Sequence, residues 1–100
     1  MARSRLELQT LLEEITEHVY FQPPSNIYMQ YPCIIYSWNE SSVDHANNEL
    51  YRDAKGYMVT VIDRNPDTEL ADTVKSLPYA TFDRFFAVDD LNHYVFTIFF

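Results

Sequence analysis

Glycine is nearly missing from this chain: Gly56 is the only one in 100 residues. Loops that cradle phosphate use glycines so that backbone N–H groups can close on the ligand, and neither a P-loop nor a dinucleotide fingerprint can be drawn here. Cysteine is equally scarce. Cys33 stands alone, which excludes an internal disulfide and a thiolate metal cluster. It follows a proline and opens an apolar run, so it reads as a small core residue. Basic residues are few, 7 against 15 acids, for a net charge of -8. The imbalance is spread along the chain, with two bases against seven acids in residues 1–50 and five against eight in 51–100. Proteins that grip nucleic acid through its phosphates are normally basic, so that mode of binding is disfavoured. No apolar run approaches the ~20 residues of a membrane span. The opening "MARSRLELQT" has no continuous apolar stretch of the signal-peptide kind, which predicts a protein made in a reducing cytoplasm.

What the chain does have is apolar and aromatic content: 47% of its residues are hydrophobic and 16% of all residues are aromatic, enough to drive folding of one domain over residues 1–100. Ser4 and Glu7 form an S-x-x-E capping pattern ahead of Leu8, Leu11, Leu12, Ile15 and Val19, which recur at helical spacing and predict a helix with one apolar stripe. Glu7, Glu13, Glu14 and Glu17 fall largely off that stripe, as a solvated face or as a surface that repels phosphates. "VYFQPPSN" ends the helix, and Pro23 and Pro24 confine any strand there to a short or edge one. "YPCIIYSW" predicts a buried strand with Ile34, Tyr36 and Trp38 on one face and Cys33, Ile35 and Ser37 on the other. Residues 39–50, "NESSVDHANNEL", are polar and predict a long loop, a place where function or mobility concentrates. "GYMVTVID" is the next strand. "DRNPD" (63–67) turns the chain, and Asp67 is placed to cap a helix reaching about Leu77, where Pro78 stops it. "YATFDRFFAV" and "HYVFTIFF" predict two strands joined through "DDLN". The fold class that follows is α+β: a mainly antiparallel sheet of about four strands with both helices on one face.

Chemistry is hard to find. There is no G-x-S-x-G elbow, and His18, His45 and His93 have no ligand-like spacing. His93 abuts Asp89 and Asp90, which allows a weak divalent-metal or acid–base site, but a solvated hairpin turn accounts for the three residues more simply. Asp63 and Asp67 recur around a turn like a nuclease carboxylate pair, and turn-and-cap chemistry again suffices. Nothing supports an enzyme, and no cofactor or metal is expected.

The anomaly is the aromatic ending. Alternation puts Tyr94, Phe96, Ile98 and Phe100 on one face of the last strand and Val95, Thr97 and Phe99 on the other, so both faces are apolar. Burying four aromatics contributes roughly 6–12 kcal/mol at ~1.5–3 each, on the scale of a whole domain's net stability of ~5–15 kcal/mol. Left exposed, the same strand would invite aggregation. Two short helices cover one face only. Either the strand is central in a well-wrapped monomer, or its second face is completed by other copies or a neighbouring protein.

Several stretches together, "VYFQPPSN" with "YPCIIY", "YMVTVIDRNPDTEL" and "LPYATFDRFFAVDDLNHYVFTIFF", resemble a family of small tail-completion proteins of long-tailed bacteriophages. The resemblance runs from about Val19 to the C-terminus, and "VIDRNPD", "FDRF" and "DDLNHYVF" are its most specific pieces. It implies a structural virion protein at the neck, similar in fold to tail terminators, whose copies form a ring, generally sixfold, on the end of the tail tube. The implied partners are further copies of the chain, the tail tube protein and head-completion or connector proteins, with DNA passing nearby and no membrane. Negative charge suits such a passage, because a lining that binds phosphate would retain the DNA. The loop of residues 39–52 then becomes a docking arm that orders on assembly. Its Glu40, Asp44, His45, Asn47, Glu49, Tyr51 and Arg52, with Phe99 and Phe100 at the end of the last strand, form the expected assembly interface. A head-side stopper ring is the nearest alternative. An acidic DNA mimic aimed at a basic pocket is an alternative of another class, but Arg52, Lys55, Arg64 and Arg84 interrupt the acidic pattern it needs.

Overall fold

The computed structural model describes residues 5–23, 28–38, 56–77 and 80–100. The predicted class is the observed one: two helices lie on one face of a mixed, mostly antiparallel sheet. Five strands form it rather than about four. Ser4 of the predicted capping pattern and the predicted loop both lie outside the described residues.

Helix α1 (Arg5–Glu13) buries Leu8 and Leu12, one turn apart, with Leu11 and Ile15 packed beside them. It stops earlier than the apolar spacing predicts. Val19 does not extend the helical stripe but opens strand β1 (Val19–Phe21), which pairs parallel with strand β2 (Cys33–Trp38). Val19, Tyr20 and Phe21 are strand formers set before Pro23, so the extended pairing wins over a helical i+4 coincidence from Ile15. Gln22 then leaves the sheet with φ of 43°, held twice to β2: its N–H donates to the Tyr36 carbonyl at 2.9 Å, and its Oε1 accepts from Trp38 N–H at 3.2 Å.

Strand β3 (Gly56–Asp63) pairs antiparallel with β2 and, on its other side, with strand β5 (Leu91–Phe99), while strand β4 (Ala80–Val88) pairs with β5. The sheet order is therefore β1-β2-β3-β5-β4, with β3 and β5 central and β4 the outer strand. The alternation predicted for β2 and β5 holds. Ile34 and Tyr36, Tyr57, Val59 and Val61, and Phe96 and Ile98 all point to the helices and form one core with Leu8, Leu12, Ala71 and Val74.

Between β3 and helix α2 (Glu69–Lys75), the "DRNPD" turn closes on itself. Asn65 N–H donates to Asp63 Oδ1 and Asp67 N–H donates to Asn65 Oδ1, both at 3.0 Å. Asp67 thus ends the turn, and the helix cap passes one residue on. Thr68 has extended backbone (φ -62°, ψ 137°), and its hydroxyl accepts from Leu70 N–H, correcting the predicted Asp67 cap. The helix proper ends at Lys75, and Leu77 belongs to the turn beyond it, its N–H bonded to the Val74 carbonyl. The last hairpin is also tighter than predicted. Leu91 and Asn92 already belong to β5, leaving Asp89 and Asp90 as a two-residue loop with φ of 54° and 63°, both left-handed.

Candidate functional site

Both described helices lie on one face of the sheet, and the opposite face has its own apolar residues. Cross-strand register places Ile35 beside Thr60, Thr60 beside Val95, Met58 beside Thr97, and Gly56 beside Phe99 on that face. Cys33, Ile62 and Val95 are buried on that face, outside the helix-covered core. Ile35, Met58, Thr97 and Phe99 are half-buried. Among the described elements both helices pack on the other side.

Strand β4 is the second unusual surface. Eight of its nine residues are exposed, among them Phe82 (45%), Phe85 (50%), Phe86 (38%) and Val88 (50%). Its pairing with β5 is interrupted once: Phe82 faces Phe96, Arg84 faces Val95, and Asp83 between them is inserted as a bulge. The insertion changes which way the following residues point. Phe82 stacks edge-on against Phe96 (5.5 Å between ring centroids) and Phe85 tilts against Tyr94 (5.0 Å), both on the helix side. Phe86 lies flat on His93 at 4.5 Å on the other side. Arg84 Nη1 sits 3.7 Å from Asp83 Oδ2, with both side chains substantially exposed.

Between α2 and the β4–β5 hairpin runs an open groove of about 390 Å³, lined by Asp67, Asp72 and Lys75 above and Phe82, Tyr94 and Phe96 below. The Tyr94 hydroxyl donates to the Pro66 carbonyl, and the Asn92 amide donates to the carbonyls of Asp63 and Arg64, so β5 fixes the "DRNPD" turn. Burial, with the nearby carboxylates of Asp67, Asp63 and Asp72, raises the pKa of Tyr94. At the other end of the core, the Tyr36 hydroxyl accepts from Arg5 Nη1 at 2.9 Å and donates to Gln9 Oε1, while the Arg5 guanidinium lies 4.3 Å over the Phe21 ring. Tyr57, stacked on Trp38 at 4.8 Å, is fully buried, and its hydroxyl has no hydrogen-bond partner among the described residues. Burial, then the neighbouring Tyr36, raises its pKa against the opposing pull of Arg5.

No catalytic constellation comes together among the described residues. Asp63 and Asp67 are occupied with turn geometry, His93 Nδ1 lies 3.2 Å from the Leu91 carbonyl, and no group of potential metal ligands occurs among the described residues. Cys33 is fully buried, and desolvation followed by the charge of Asp63 pushes its thiol up to about 11.

Of the residues assigned in advance to an interface, Glu40, Asp44, His45, Asn47, Glu49, Tyr51 and Arg52 lie outside the described residues. Phe99 and Phe100 are separated by the sheet: Phe99 lies on the face away from the helices, across from Gly56, whereas Phe100 packs against the helix-covered core. The sequence predicts β4 as a strand but not its exposed aromatic surface. Its signal is present in "TFDRFF", three phenylalanines around an adjacent acid and base, but period-two alternation assumes no inserted residue and so groups Phe82 with Phe86 rather than with Phe85. Searches against family models, curated proteins and solved structures return no match to this chain.

Proposed function

We propose that the chain is a non-enzymatic structural subunit that assembles with its own copies into a ring at the head–tail junction of a long-tailed phage, on the tail side, capping the tube and joining it to the filled head. The observation that carries the reading is the sheet face opposite the described helices, where Ile35 and Met58 are half-buried and no helix among the described residues lies over them. A ring subunit must offer such a surface to its neighbours, because head-to-tail contacts in a closed ring join two different patches of each copy. The resemblance of the stretches from Val19 onward supplies the setting, and the net charge of -8 suits a passage that DNA must slide through.

Deleting the gene from its phage tests this. The proposal expects DNA-filled heads without tails, together with finished or overlong tails left unjoined. Heads that lose their DNA beside normal tails would move the protein to the head side of the junction. Normal joined particles with tails of regular length would overturn the proposal.

A further inference from the structure

We infer that the outer edge of β4 pairs antiparallel with β4 of a second copy of this chain, about a two-fold axis passing between Asp83 and Arg84. An isologous contact requires a surface complementary to itself, and the strand meets that requirement in one register. With the axis between residues 83 and 84, Asp83 stands opposite Arg84 of the other copy and Arg84 opposite its Asp83. Phe82 stands opposite Phe85, Thr81 opposite Phe86, and Ala80 opposite Ala87.

The bulge is what makes this register possible. In an uninterrupted strand, Phe82 and Phe85 would point to opposite faces, being an odd number of residues apart. The insertion of Asp83 brings both onto the helix side, where they contact Phe96 and Tyr94. It also puts Thr81 and Phe86, partners of Thr97 and His93, together on the other side. Opposed residues in an antiparallel pair share a face, so the face pattern of residues 80–87 is symmetric about the bulge. Moving the axis by half a residue to Arg84 would oppose Phe82 to Phe86 across faces and set two arginines against each other. The observed register is thus selected by shape and by charge together.

Charge complementarity is the argument for a second copy over another occupant. Two -8 molecules repel at long range, yet the 83–84 pair of each copy meets the opposite order in the other, giving four alternating charges at the centre of the contact. The exposed phenyl rings of Phe82 and Phe85 flank those charges, where aromatic cross-strand pairs add stability. The opposite edge of the sheet offers no equivalent, because β1 is only three residues long and Pro23 follows closely. A two-fold contact uses the strand of both copies and cannot by itself close a ring. It is a state of the soluble protein that covers an aggregation-prone edge, and it stands whether or not the ring proposal does.

Sedimentation velocity over a concentration series, with charge reversals at the two central residues, tests the inference. The wild-type chain is expected to shift from monomer to dimer as concentration rises. Asp83→Arg and Arg84→Asp each turn both central pairs repulsive, and each is expected to weaken the dimer by about tenfold or more. The swapped double variant, Asp83→Arg with Arg84→Asp, restores opposite charges and is expected to recover the dimer. An equimolar mixture of the two single variants should likewise form a heterodimer. Far-ultraviolet circular dichroism checks that every variant is folded, which the exposure of both side chains favours. A wild-type monomer at all concentrations would overturn the inference and leave the bulge and charges as a device that blunts the edge. Dimers that persist in both single variants, or that the swap fails to restore, would overturn it too by placing the contact elsewhere.

Discussion

Tyr36 and Tyr57 neighbour each other in the core, their rings 6.1 Å apart, yet their hydroxyls are in opposite situations. That of Tyr36 is shared between Arg5 and Gln9, whereas that of Tyr57 is buried without a partner among the described residues. A buried polar group left unpaired costs about 1–3 kcal/mol, and a satisfied one contributes about 0.5–1.5. Tyr57→Phe is therefore expected to hold or raise stability by up to about 1 kcal/mol, and Tyr36→Phe to lower it by about 1–2, because Arg5 and Gln9 lose their common partner. Urea denaturation of the two variants decides between these signs; loss of stability in Tyr57→Phe would mean that its hydroxyl is satisfied. Cys33 makes a second residue-level prediction. Its thiol titrates near 11 in the folded chain, against a usual value near 8.5 when unfolded. The folded state then holds the proton more tightly, so this contribution is whole below the unfolded value and declines as pH rises toward 11. Wild type should lose stability across that window, and Cys33→Ala should lose less. A thiol reagent at pH 8 should label the native protein far more slowly than the unfolded one; equal rates would contradict the burial.

Among the elements, the β4–β5 hairpin carries the clearest local cost. Asp89 and Asp90 are both left-handed, a conformation that L-residues adopt at an expense of roughly 1–2 kcal/mol and that Asn-Gly accepts readily. Asp89→Asn with Asp90→Gly is expected to add about 1 kcal/mol, or about 4–8 °C in Tm, as read by thermal melting. No gain would show that the aspartates are held there by something the turn alone does not reveal. On β5, Phe96 is fully buried between strands and helices, so Phe96→Asp should abolish the folding transition. Phe99→Asp, on the other face, should leave a folded protein, and Phe100→Asp should be the more costly of the two because Phe100 touches the core. Equal tolerance of charge at Phe96 and Phe99 would contradict the two-faced reading of β5. That reading was legible in advance, since alternation alone separated Tyr94, Phe96 and Ile98 from Val95 and Thr97. What escaped was non-local. Ile15 and Val19 sit at helical spacing, and the parallel pairing with Ile34 to Tyr36 is what settles Val19 into the sheet. The bulge at Asp83 is likewise a property of the pairing with β5, invisible in the strand itself.

At the scale of the whole molecule, charge decides what the surface can touch. The described arginines are already engaged: Arg5 with Tyr36 and Phe21, Arg64 over the Tyr31 ring at 5.5 Å, and Arg84 beside Asp83. A phosphate clamp would have to take them from these partners against an overall charge of -8. Low ionic strength strengthens that repulsion, because the screening length lengthens from about 8 Å in physiological salt to about 30 Å at 0.01 M. A fluorescent DNA duplex titrated with the protein at low salt should therefore show no change in anisotropy, under the conditions where a basic protein would bind hardest. Saturable binding that weakens as salt is added would reveal a basic surface within an acidic chain. It would also remove the electrostatic argument for a passage that lets DNA slide, leaving the half-buried apolar sheet face to support the structural role by itself.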